Sequence, residues 1–256
     1  MRPIWKGSIG FGLVTIPVKL YSATQQSSLD LDMVDRRDMG KIKYQRVNAA
    51  TGEEVKWEEI GKAYKLDGNY VLLEDEDFAK AAPEKSKIIE VNNFVKEEEI
   101  DTIFYENSYY LEPEKAGVKA YALLREALKK SGRVGVAQFV LRSSATLTAL
   151  KPKGKMLVLS KLRFAEEIRG TEDFDIPEKV QISPGEMKMA LTLIDQFSTP
   201  FDITKFKDEY ASALVKVIKA KASGKKIPAR KLRIAHTKSD DLLEQLKASL
   251  NRRKAS

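Results

Sequence analysis

The sequence has no cysteine and a single histidine, His236, and these two shortages remove much chemistry at once. Disulfides and thiolate metal sites are excluded, a His-based metal site has too few ligands, and Cys-His or Ser-His-Asp catalysis has almost nothing to draw on. No run of 18 apolar residues occurs, and the opening Met1-Arg2-Pro3-Ile4-Trp5-Lys6 lacks the apolar stretch of a secretory signal. A soluble protein of the cytoplasm is expected. Glycine-rich phosphate loops are missing too. Gly7-x-x-Gly10-x-Gly12 has the wrong order for a dinucleotide fingerprint and leads toward Pro17 and a strand, not into a helix.

What the sequence has is charge, unevenly placed. The 256 residues carry a net charge of +8, with 32% of them charged and 43% apolar. That is a globular composition with surplus charge, long enough for one large domain and a smaller appendage. Residues 121–165 hold ten Lys or Arg and one carboxylate, Glu126, whereas residues 49–120 hold 18 acidic side chains against nine basic ones. Residues 1–48 and 201–256 are again basic. Such segregation makes a directed positive field, the footprint of a polyanion partner, although a charge run can also be a solvated face.

Along the chain, Ile4 to Tyr21 reads as extended strands with bends, and Lys41–Val47, Tyr70–Leu73, Lys87–Val95 and Ser108–Leu111 are further strand candidates. Glu74-Asp75-Glu76-Asp77 opens a short helix that ends at Pro83, its carboxylates serving as a cap. Helical spacing of Val118, Tyr121, Leu124 and Leu128 follows, closed by Ser131-Gly132. Arg133–Arg142, Thr146–Leu150 and Met156–Phe164 then form a strand meander, with Lys151–Lys155 as the turn between the last two. Its cations are expected to line one rim of a sheet. Glu186–Phe197 and Thr204–Ala222 read as amphipathic helices separated by Thr199-Pro200, and Gly224–Lys238 as a basic linker in which His236 has no role. A last helix, Ser239–Leu250, carries Leu242, Leu243, Leu246 and Leu250 in one stripe, which either docks on its own domain or sits in a partner's groove.

Several stretches are less generic. Ile4-Trp5-Lys6-Gly7-Ser8-Ile9-Gly10-Phe11-Gly12-Leu13-Val14-Thr15-Ile16-Pro17-Val18-Lys19-Leu20-Tyr21 resembles the N-terminal signature of bacterial Ku. Asp67–Leu73, Tyr121–Leu128, Ser131–Ala137, Ala190–Asp195 and Asp241–Leu250 resemble later Ku segments in the same order. The resemblance covers essentially the whole chain. It implies an α+β fold: a β-barrel core with flanking helices in residues 1–185, an extended DNA-encircling bridge at about 34–65, a helical arm at 186–222, and a basic linker with a C-terminal helix at 223–256. It implies a homodimeric ring that threads a double-stranded DNA end, is associated with the nucleoid, and recruits an ATP-dependent DNA ligase of the LigD type in non-homologous end joining. Leu242, Leu243, Leu246 and Leu250 would meet that partner. No catalytic residue, cofactor or metal is implied.

This chain departs from the family pattern in two places. Many relatives carry Cys-x-x-Cys where it has Asn48-Ala49-Ala50-Thr51, and a histidine near Asp35, so a metal knuckle cannot be inherited and ordinary packing is expected to hold the bridge. A long lysine-rich tail is also lacking, with Arg252-Arg253-Lys254 as its remnant.

For an end-binding protein indifferent to sequence, phosphate contacts must supply the affinity. The candidates are Arg36, Arg37, Lys41, Lys43 and Arg46 on the bridge, and Arg133, Arg142, Lys151, Lys153 and Lys155 on the meander. Two other readings compete. A monomeric nucleic-acid-binding barrel would use the same cations, and an enzyme would need a site such as Glu97-Glu98-Glu99 with Asp101, which reads better as a solvated cap. Trp5, Phe11 and Tyr21 are expected in barrel packing, not in base stacking.

Overall fold

The structure, a computed structural model, describes residues 1–25, 29–81, 87–141, 144–177 and 179–225. The chain divides into two compact units, Met1–Gln26 with Asp30–Gly170, and Ser27–Leu29 with Thr171–Ser256.

The first unit is built on a closed barrel. Its seven strands are β1 (Trp5–Phe11), β2 (Val14–Ser22), β5 (Ile88–Lys96), β6 (Tyr105–Pro113), β7 (Arg133–Leu141), β8 (Ser144–Lys153) and β9 (Met156–Leu162), in the order β1-β2-β6-β9-β8-β7-β5. All neighbours are antiparallel except β1 and β5, which pair in parallel over Ser8–Gly10. Closure leaves the barrel without an unpaired edge. Ile9, Ile16, Val18, Leu20, Ile89, Leu111, Leu150, Leu157 and Leu159 are fully buried. Each such side chain contributes about 1.5–3 kcal/mol relative to an exposed one.

Helix α2 (Val118–Ser131) covers part of this barrel with Tyr121, Leu124 and Leu128, three of the four residues whose spacing predicts it; Val118 is exposed. It ends where Gly132 takes a left-handed φ of 64°, as Ser131-Gly132 predicts. Tyr121 fastens it, its hydroxyl donating to Leu111 O at 2.6 Å and accepting from Leu157 N at 2.6 Å. Trp5 packs edge-on against Phe139 beside the core, at 5.3 Å between ring centres. Phe11 meets Phe94 at the margin, and Tyr21 turns outward to donate to Glu112 at 2.7 Å.

Two sequence expectations need correction here. Lys151–Lys153 belong to β8, because Lys153 pairs with Met156, so only Gly154-Lys155 forms the turn. Gly154 has φ +58°, while Lys155 has no positive φ, the pattern of a type II′ hairpin turn that needs glycine first. Nor is Lys41–Val47 a strand. Its period-2 pattern finds no neighbouring strand to complete a ladder, and only the isolated bridges Val34–Lys41 and Val47–Glu54 form.

Between β2 and β5 lies an arm. It ends in a hairpin of β3 (Lys62–Leu66) and β4 (Asn69–Leu73), followed by helix α1 (Asp75–Ala81), the short helix expected from its acidic start. Asp67 and Gly68 both have positive φ (49° and 89°), so they form a type I′ turn; β3 itself was not legible as a strand.

In the second unit, α3 (Pro184–Phe197) is opened by a capping box of Ser183 and Glu186. The other helix, α4 (Glu209–Ala222), starts five residues later than Thr204 because Asp208 caps Ala211 N at 3.1 Å. A separate turn of 3₁₀ helix, capped by Asp202, occupies Ile203–Lys205. Neither α3 nor α4 has a buried residue. Among the described residues no helix is long and apolar enough to cross a membrane.

Candidate nucleic-acid interface

The arm leaves the barrel after β2, where Ala23 N donates to Ser108 O at 3.0 Å, and returns at Lys87, whose carbonyl accepts from Ser8 N at 2.8 Å. Because β1 lies between β2 and β5, the arm stands astride β1 at the end that holds Trp5 and Ser8. Gly7 makes the return possible, since a Cβ there would lie 2.3 Å from Lys87 O. Between residues 35 and 72 no described side chain is buried. Packing within one chain therefore does not hold the bridge, contrary to the expectation from the missing cysteines; hydrogen-bonded turns do. Asn48 Oδ1 accepts from Ala50 N at 2.8 Å and more weakly from Thr51 N, Asn48 N donates to Glu53 O, and Gly52 N donates to Asn48 O. That closes a tip at Asn48-Ala49-Ala50-Thr51 without any cysteine.

The five arm cations divide by partner. Arg37 grips Asp35 with a bond of 2.6 Å from Nη2 and two of 3.1 Å from Nε. This hydrogen bonding holds the Asp35 carboxyl below its ordinary range and pushes Arg37 further up. Lys41 lies 3.3 Å from Asp32, with both side chains exposed. Arg46 lies over the Trp57 ring at 4.6 Å. Arg36, on the tight 35–40 turn, and Lys43 meet no carboxylate among the described residues.

On the barrel the same division applies. Lys151 pairs with Glu97 and stands over the Tyr105 ring at 5.4 Å. Arg133 reaches Phe94 O at 3.4 Å. Lys161 pairs with Glu106 at 2.6 Å, and Arg163 donates to Ile103 O and Tyr105 O at 2.9 and 3.0 Å while flanking the same carboxylate at 3.6 Å. These cations hold β9 to β6, so the positive rim is narrower than the ten basic residues of this segment suggest. Lys153 and Lys155, on either side of Gly154, meet no carboxylate among the described residues. Arg142 and the stripe Leu242, Leu243, Leu246 and Leu250 lie outside the described residues.

Each carboxylate of Glu97-Glu98-Glu99 is engaged: Glu97 by Lys151, Glu98 by Lys96 at 3.3 Å, and Glu99 by Lys96 N at 2.6 Å. Among the described residues no three His, Cys, Asp or Glu side chains gather as a metal site would require.

The family model described as the Ku70/Ku80 β-barrel domain matches residues 10–189, which takes in the end of β1, strands β2 to β9 with the arm between them, and the start of α3. The chain belongs to the Ku family. Three relatives named "Non-homologous end joining protein Ku" match this Ku chain over almost its full length. That of Coxiella burnetii is 39% identical, covering 97% of this chain and 94% of the relative. The protein of Archaeoglobus fulgidus is 38% identical with 98% of each covered. The one from Pseudomonas aeruginosa is 35% identical over 98% of this chain and 89% of its own length.

Proposed function

We propose that two copies of this Ku chain surround the end of a DNA duplex, grip it by its phosphates without reading its bases, and pass it to an ATP-dependent ligase in non-homologous end joining. The supporting observation is the distribution of uncommitted charge. Arg36 and Lys43 on an arm with no buried side chain between residues 35 and 72, and Lys153 and Lys155 on a tight barrel turn, carry positive charge that the described residues do not neutralise. Cations presented from an arm and a turn neutralise phosphates whatever the sequence, and relatives bearing the end-joining name span the whole chain. The bridge at about 34–65 is the encircling segment in this reading. Arg37, Lys41, Arg46, Arg133, Arg142 and Lys151 add to the field around it.

Dimerisation is favoured over a monomeric barrel by the second unit. Leu191, Ile194 and Phe197 on α3, and Phe201, Ile203 and Phe206 after it, are all more than half exposed in the single chain. Monomers rarely leave so many large apolar side chains open in one short stretch, and a ring of two protomers needs a large apolar contact. Residues 223–256, with the leucine stripe 242, 243, 246 and 250, are assigned to the LigD-type ligase.

The test is one band-shift series on blunt linear, hairpin-blocked and circular duplexes of the same sequence. Binding should be strong on the open linear form and poor on the other two. With about 6–10 phosphates neutralised, affinity for linear DNA should fall by roughly 10³–10⁵ between 50 and 200 mM salt. Equal affinity for circle and linear fragment overturns encirclement.

A further inference from the structure

Glu126 is the one carboxylate among the ten cations of residues 121–165, and the structure gives it a task away from phosphates. Its Oε1 accepts from Arg125 Nε at 3.0 Å and from Nη2 at 2.7 Å. The Nε–Nη2 edge of the guanidinium is thereby fixed, and the remaining nitrogen, Nη1, donates to the Lys155 carbonyl at 2.9 Å. Lys155 closes the Gly154-Lys155 turn, so the bond runs from α2 to the turn that presents Lys153 and Lys155. One helical turn earlier, Tyr121 holds Leu157 N on the same strand. The start of β9 is thus held at two points, and the Arg125 side chain is only 23% exposed.

We propose that Arg125, oriented by Glu126, is a positioning residue that fixes the β8–β9 turn so that Lys153 and Lys155 face the phosphate backbone together. This rests on the DNA-end reading above. All three nitrogens of Arg125 are engaged within the protein, its planar fork divided between a carboxylate and a carbonyl, a geometry that a lysine ammonium cannot reproduce. The pairing also keeps a negative charge in the basic segment directed at Arg125, and Arg125 in turn holds the Glu126 carboxyl below its ordinary range.

The test compares the full-length R125K, R125A, K153A/K155A and R125K/K153A/K155A proteins in two measurements. One is amide hydrogen exchange of residues 153–156 without DNA; the other is affinity for a linear duplex across a salt series. R125K, which keeps the charge, should speed exchange at the turn and weaken duplex binding about 2- to 30-fold, as R125A does. Adding R125K to K153A/K155A should cost no further affinity. Should R125A fail to fold, E126Q, which keeps the shape, must shift exchange and binding in the same direction. R125K indistinguishable from the parent in either measurement overturns the proposal, as does a full additional loss in the triple variant. If K153A/K155A alone binds like the parent, the phosphate assignment of the turn fails first, and the positioning role falls with it whatever the exchange data show.

Discussion

Lys161 Nζ and Glu106 Oε2 meet at 2.6 Å across the β6–β9 pair, so a cation from the most basic segment serves the barrel wall. The contact lowers the Glu106 carboxyl below its usual range, chiefly through the Lys161 hydrogen bond, and raises Lys161 through the same bond. A carboxylate with a lowered folded-state pKa gives stability that is present above its unfolded pKa and lost as pH falls through the folded one. Glu106→Gln should therefore lower the melting temperature by about 2–4 °C at neutral pH, corresponding to roughly 1 kcal/mol. That difference should shrink as pH falls through the lowered folded-state pKa of Glu106, below which the carboxyl is protonated in both states. Thermal melts from pH 7 to pH 3 check it; a constant difference refutes the role of ionisation.

The arm cations should be unequal. Replacing Arg36, Arg37, Lys41 and Lys43 together by Ala should weaken binding alike on unrelated sequences and shrink the salt slope, by about 0.9 for each phosphate no longer neutralised. Arg36→Ala with Lys43→Ala should account for more of this than Arg37→Ala with Lys41→Ala, since the latter pair already faces Asp35 and Asp32. A salt titration on two duplexes of different sequence separates the contributions, and an unchanged slope in the fourfold variant removes the arm from the interface.

Tyr121→Phe removes the donor to Leu111 O and the acceptor for Leu157 N, leaving two buried main-chain groups without that partner. A cost of about 1–3 kcal/mol is expected, read as a lower denaturant midpoint with an unchanged slope.

Leu191→Glu with Ile194→Glu places two charges on the exposed apolar surface of α3. Dimer contact through this helix predicts a solution mass that falls from two chains to one and weaker binding to linear DNA. Light scattering decides, and an unaltered mass assigns the contact elsewhere.

The barrel was largely legible because its signals are local. Glycine and alternation marked β1 and β2, the spacing of Tyr121, Leu124 and Leu128 marked α2, and Ser131-Gly132 marked its end. The turns were harder. Lys-Pro-Lys-Gly-Lys carries turn residues throughout, yet the hairpin needs only two of them, and register alone decides which. Register also explains the overcounted positive rim. That Glu97 would face Lys151, or Glu106 face Lys161, follows from pairings between residues more than 50 positions apart. Composition located the basic segments correctly but could not subtract the cations engaged elsewhere. On the arm, Lys41–Val47 has the alternation of a strand and no sheet to join, which no local pattern reveals.

The arm's two roots on either side of β1 carry a mechanical consequence. A single protease cut among the exposed residues near the Asn48 tip would leave both fragments sewn into one barrel, the first through β1 and β2 and the second through β5 to β9. A nicked molecule would thus keep its fold, and if the arm encircles DNA as proposed above, a cut there would open the path by which a captured end escapes.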